Sequence, residues 1–206
     1  MGINKFFKEE FEEIALKLLG IQYHGLIWCE LGNQDYYGKP AKKMYESKGV
    51  IHTSIDINGQ DGSIPLDLDD PVPKTFENKF DVVTNYGTSE HVSNQYQVFK
   101  NIHIMCKDDG LMLHGVPLID NWKNHCRYYY SELFFEQLAT YCNYSYMGLQ
   151  ILKIETYKFP HNLVVCALSK RENLEFITED KFNQIQGIVD SKNTSKTGNY
   201  TVKKGK

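Results

Sequence analysis

Apolar residues recur at helical spacing through Phe6, Phe7, Phe11, Ile14, Ala15, Leu18 and Leu19, with Lys and Glu between them and Gly20 as a stop. This pattern predicts an amphipathic helix over about residues 3–19. Residues 26–31 form a short continuous apolar run ending at Gly32, the pattern of a strand buried on both faces. A helix is expected over 40–48 and a strand over 50–57, followed by a Gly-rich loop and a short apolar segment at 64–68. Strands are then expected at 80–85 and 111–116, separated by a helix at about 93–105 and an Asp108-Asp109-Gly110 turn. One more helix over 131–141 precedes two strand-like runs at 146–156 and 163–169, and Lys158-Phe159-Pro160-His161 between them reads as a hairpin connection.

Strands interleaved with helices indicate an α/β fold with a mostly parallel central sheet, helices on both faces, and an antiparallel C-terminal hairpin closing one edge. One domain over 1–170 is expected, with a C-terminal extension over 171–206. From about residue 190 the chain turns to Ser, Thr, Asn, Gly and Lys without apolar periodicity, so a mobile tail is expected there.

Composition narrows the classes of partner. The 23 basic and 26 acidic residues are spread along the chain and leave a formal net charge of -3, so neither nucleic acid nor an anionic membrane is expected to be bound. No apolar run approaches the roughly 20 residues that cross a bilayer and no charged-then-apolar leader opens the chain, so a cytoplasmic protein is expected. Five cysteines without a C-x-x-C pair argue against a disulfide or zinc framework, and Cys29 and Cys166 read as reduced core residues.

In an open α/β sheet, ligands bind beyond the carboxyl ends of the strands, so the polar residues at those ends carry the candidate chemistry. Asp56 ends the second strand at about the distance from the first glycine turn where nucleoside-binding folds place a carboxylate on the ribose hydroxyls. It could equally cap the turn before Gly59. The first turn has Gly32 and then only Gly38, without the closely spaced glycines that bring amides against a diphosphate, and Glu30 would repel one. A phosphate-free nucleoside with an ammonium and a sulfonium, S-adenosylmethionine, suits such a pocket better.

Taken in order, Glu30-x-Gly32, Asp56, Asp67-Leu68, Phe80-Asp81-Val82-Val83, Glu90-His91-Val92 and Lys107-Asp108-Asp109-Gly110-Leu111 resemble the class I, Rossmann-like S-adenosylmethionine-dependent methyltransferases over residues 26–169. The resemblance implies that Gly32 lets the cofactor's amino-acid portion approach the backbone, that Asp56 holds the ribose, and that Glu30, Asn33 and Ile57 also belong to the cofactor site. It further implies that Asp67 and Leu68 meet the adenine, while Asn85 and Tyr86 border the methionine portion. Gln34 stands where the family usually has a second glycine, which reshapes this loop because a Cβ restricts its dihedrals.

On the acceptor side, the segment with Trp122, His125, Arg127 and Tyr128 resembles the lid that follows the fifth strand in small-molecule and sugar methyltransferases. Transfer to a hydroxyl needs positioning and the removal of one proton, for which His114 and His125 are the candidate bases. Arg127 is a candidate to hold an acidic acceptor, with Trp122 and Tyr128 beside it. Glu90 and His91 offer one carboxylate and one imidazole, and the upstream position that could add a second carboxylate is Gly87; no metal is expected, and the pair is read as framing the pocket. The expected function is methyl transfer to a small-molecule or carbohydrate acceptor, at oxygen; the alternative is a non-catalytic methyltransferase-like binding subunit.

Overall fold

The computed structural model describes residues 10–154, 161–172 and 174–193. Outside these lie Phe6 and Phe7 of the expected first helix, Lys158-Phe159-Pro160 of the expected hairpin connection, and residues 194–206 of the expected tail.

The chain runs α1 (Glu13–Leu18), β1 (Ile27–Leu31), a two-residue ribbon of β2 (Asp35–Tyr36) and β3 (Lys39–Pro40), α2 (Ala41–Ser47) and β4 (Ile51–Ile55). Then follow β5 (Phe80–Tyr86), α3 (Gln95–Met105), β6 (Cys106–Pro117), β7 (Tyr128–Tyr130), α4 (Glu132–Tyr141), β8 (Ser145–Leu152), β9 (Leu163–Ser169), α5 (Glu179–Phe182) and β10 (Ile188–Asp190). The main sheet has the order β4-β1-β5-β6-β9-β8, with β4, β1, β5 and β6 parallel and β9 antiparallel to both neighbours. The chain steps from β1 outward to β4 and then back past β1 to β5, so strand order reverses at β1 and β5. Their carboxyl ends therefore form the crevice where such folds bind ligands.

Alternate residues of each strand feed two cores, as the period-2 geometry of a strand requires. Cys29, Leu31, Val83, Met112 and Cys166 face α3 and α4. Trp28, Val82, Leu111, Leu113 and Val165 face α1 and α2, where Trp28 lies 4.9 Å from the ring of Tyr45. Each large side chain buried this fully contributes about 1.5–3 kcal/mol over leaving it exposed. All five cysteines are buried and free.

Two elements differ from expectation. The Asp108-Asp109-Gly110 turn sits inside β6 as a bulge, because pairing with β5 jumps from Phe80↔Cys106 to Val82↔Leu111. Lys170 Nζ fixes the bulge through the Cys106 carbonyl at 2.8 Å and Asp108 at 3.2 Å. The short 64–68 segment makes a single parallel bridge, Ile55↔Ile64. Part of the expected extension belongs to the body of the fold: Ile177, Phe182 and Ile185 enter the α3/α4 core, and β10 pairs antiparallel with β7. No helix among the described residues is long and apolar enough to cross a membrane.

Candidate cofactor and acceptor site

At the crevice, the chain leaves β1 through Gly32 at φ +79°, a backbone state open to glycine at little cost, and the Gly32 amide donates to the Ile55 carbonyl at 2.7 Å. This bend brings the next loop against the end of β4. Asp56 Oδ2 there accepts from the Asn33 amide at 2.8 Å, and Oδ1 accepts from the Asn58 amide at 2.9 Å. The carboxylate is half-buried and oriented by both loops, and each oxygen keeps a second lone pair for an outside donor. Asn33 is itself held by Asp61 at 2.7 Å, and Ile57 stands 43% exposed beside them. Asp67 is exposed and accepts from the Asp69 amide, whereas Leu68 turns its side chain into the core, so of this pair only Asp67 is open to a base.

Glu30 is 1% exposed; Oε1 accepts from the Gln34 amide at 2.9 Å, and Oε2 lies 3.5 Å from His52 Nε2. Burial raises the Glu30 pKa, with the bonds from His52 and Gln34 acting against it. Gln34 leans across the glycine bend: a Cβ on Gly32 would lie 2.6 Å from both Gln34 Nε2 and Thr88 Oγ1. Gln34 Nε2 reaches the Leu31 carbonyl and Thr88 at 3.3 Å each, long for such bonds, and Gln34 Oε1 is buried with no hydrogen-bond partner among the described residues. Gly32→Ala would combine a strained φ with this close approach, so urea unfolding should show a loss of about 1–2 kcal/mol. An unchanged midpoint would contradict the tightness of the bend.

Asn85 and Tyr86 part company at the end of β5. Asn85 donates to Ser89 Oγ at 2.8 Å and accepts from the Ser89 amide at 3.0 Å, with His114 Nδ1 at 3.3 Å from its amide nitrogen. Tyr86, one residue on, faces the opposite core, so its ring is directed to α1 and away from the ligand side of Asn85. His114 is 1% exposed, lies 5.0 Å from the ring of Phe135, and has its pKa pushed down to about 3 by burial. In this position it sits inside the core against Asn85, closed off from solvent.

The lid residues divide in the same way. Arg127 was expected to grip an acceptor, but its fork is closed on Asp190 of β10 at 3.1 and 2.9 Å. Tyr128 is 9% exposed and spends its hydroxyl on the Ser93 carbonyl at 2.9 Å. Both fasten the 122–128 segment to its neighbours. Trp122 donates Nε1 to the Asn162 carbonyl at 2.9 Å and stands 5.2 Å from the half-buried ring of His125. His125 in turn lies 5.3 Å from His91, and the ligand atoms of Glu90, His91 and His125 all fall within 4.8 Å of one another. The Arg127 amide, bonded to the Glu90 carbonyl at 3.2 Å, creates this meeting of distant segments. Burial pushes Glu90 up to about 7 and His91 down to about 4, and it lowers His125 as well.

Solved structures share this fold. The [4+2]-cyclase SpnF superposes with a TM-score of 0.60 at 12% identity, over 79% of this chain and 80% of its own. A 1,6-didemethyltoxoflavin N1-methyltransferase from Burkholderia thailandensis, solved with its substrate and S-adenosylhomocysteine, gives 0.58 at 14% identity over 78% and 76%. A SAM-dependent methyltransferase from Methanosarcina mazei gives 0.56 at 14% identity over 76% and 97%. The chain has the class I methyltransferase fold. No protein-family model matches the sequence, and no curated protein matches it either.

Within the methyltransferase fold, several contributors to the site carried no signal of their own in the sequence. Ser89, Gln95 and Tyr130 form a buried chain in which Tyr130 donates to Gln95 Oε1 at 2.6 Å and lies 3.1 Å from Ser89 Oγ. Ser89 passes this order to Asn85. A polar residue four positions after Asn85, at the first turn beyond a buried strand, was the available hint.

Proposed function

We propose that the protein is an S-adenosylmethionine-dependent methyltransferase acting on a small-molecule or carbohydrate acceptor, at oxygen. The observation that carries this reading is the Asp56 carboxylate, aimed by two backbone amides beside the Gly32 bend in a fold shared with a structure solved with S-adenosylhomocysteine. The ribose end fits the cofactor: Asp56 retains acceptor capacity for a vicinal diol, Ile57 offers an exposed apolar cover, and Asp67 is exposed. At the methionine end, Gln34 and Thr88 must yield space over Gly32, and Gln34 Oε1 then supplies an unused acceptor for an ammonium.

When bound, the cofactor supplies an electrophilic methyl group. Glu30 holds the loop through the Gln34 amide, Asn85 orders the wall through Ser89, and the lid is stitched down by Arg127–Asp190 and Tyr128–Ser93. Among the two histidines considered as bases, His125 is the one at a half-buried position next to Trp122, and it is assigned the acceptor's proton. Small neutral or hydroxylated acceptors suit a lid whose arginine is already paired.

The test is transfer of labelled methyl from S-adenosylmethionine to a panel of phenols, sugars and amines, with label expected in hydroxyl compounds. A second reading, a binding module without transfer, is favoured by Gln34 over the glycine bend and by the neighbouring fold of a protein described as a cyclase. Saturable cofactor binding with no transfer to any acceptor would select it.

A further inference from the structure

We propose that Glu90, His91 and His125 form a binding site for a divalent transition-metal ion of the zinc class, held by one carboxylate and two imidazoles. Glu90 is 0% exposed, and both of its carboxylate oxygens are buried without a hydrogen-bond partner among the described residues. Leaving such a group unmatched is costly, and native structures supply a donor, a proton or a cation. Here the groups that converge on it are two imidazoles: His91 Nε2 lies 3.9 Å from Glu90 Oε1, and the three ligand atoms are mutually within 4.8 Å. Two ligands on one zinc ion at about 2.0–2.2 Å must come within roughly 4 Å of each other, so small side-chain rotations close the set.

The convergence is built by the fold. The Arg127 amide bonds the Glu90 carbonyl, Tyr128 bonds the Ser93 carbonyl, and Tyr130 reaches Ser89, so three positions of the 127–130 segment are sewn to the turn that carries Glu90 and His91 and the residues just after it. Carboxylate with imidazole is a borderline donor set, which suits zinc, iron, cobalt or nickel over magnesium or calcium. Three protein ligands leave at least one position open. The catalytic use of that position rests on the methyl-transfer reading: in the metal-loaded chain it would take the acceptor's oxygen and lower its pKa so that the proton leaves to water, and the role of base given to His125 would apply to the metal-free chain. Metal binding itself does not depend on that reading.

The test is equilibrium dialysis of the untagged full chain against zinc chloride, followed by elemental analysis, with titration by S-adenosylhomocysteine run separately. Wild type should retain one zinc per chain, and Glu90→Gln and His125→Asn should each weaken retention by at least about tenfold while unfolding cooperatively in metal-free buffer. His91→Gln, at a half-buried position, replaces either variant that does not fold. No zinc on wild type, or equal zinc on wild type and the variants, overturns the site. Failure of the cofactor titration alone leaves these zinc values standing and strikes only the methyl-transfer reading.

Discussion

Replacing Asp56 by Asn should weaken S-adenosylhomocysteine binding by about 100-fold, or about 2.7 kcal/mol. The carboxylate now accepts from the Asn33 and Asn58 amides at 2.8 and 2.9 Å, one on each oxygen. An Asn amide has only one oxygen, so its NH2 group would face one of these two donors and the loops would lose their common anchor. The same exchange removes the charge that makes bonds to ribose hydroxyls strong. Global stability should change little, because the position is half-buried at the sheet's rim. The effect should also be specific to the diol: wild type should discriminate against a 2′-deoxy analogue of the ligand, and Asp56→Asn should not. Calorimetric titration of both proteins with both ligands reads this directly. Equal discrimination in the two proteins would move the ribose contact elsewhere.

The second large effect concerns folding and a buried carboxyl group. Glu12 is 0% exposed, and its carboxylate accepts from Tyr45 at 2.6 Å and Tyr23 at 3.0 Å, with Tyr86 close by. Burial outweighs these hydrogen bonds and raises its pKa from 4.5 to about 7. The folded state therefore binds this proton more tightly than the unfolded chain. Above about pH 4.5 the unfolded chain ionises while the folded one stays neutral, so the Glu12 contribution to stability falls as pH rises to about 7 and levels off beyond it. Glu12→Gln is neutral at all pH and isolates the effect. Between pH 5 and pH 8, wild type should lose about 2–3 kcal/mol relative to this variant in urea unfolding. Parallel stability profiles for the two proteins would mean that Glu12 is ionised in the fold, or solvated.

Much of the architecture was legible because it rests on local chemistry. The apolar run at 163–169 coincides with β9, and the helix and strand alternation from α2 to α4 follows from hydrophobic periodicity and turn residues. Gly32 and Asp56 were legible for the same reason, since a glycine bend and an acidic strand end are local features. The placement of Tyr86 was recoverable too: adjacent strand residues point to opposite faces, so Asn85 and Tyr86 could not both line one pocket.

Long-range pairing was not legible. Asp190, 63 residues from Arg127, takes the guanidinium that local reading assigned to an acceptor. The burial of His114 depends on Phe99 and Phe135, supplied by two separate helices. His125 comes near Glu90 because the segment around Arg127 is hydrogen-bonded to the turn after β5, so a Glu-His pair adjacent in sequence gains a second imidazole in space. The core role of Ile177, Phe182 and Ile185 was hidden because these residues are scattered through a polar stretch without a sustained period.

The most direct measurement of the central claim is calorimetric titration of the untagged wild-type chain with S-adenosylhomocysteine at neutral pH. A nucleoside crevice built on Asp56 and Gly32 should give a saturable one-to-one isotherm with a micromolar dissociation constant. A flat trace at high-micromolar protein would contradict it.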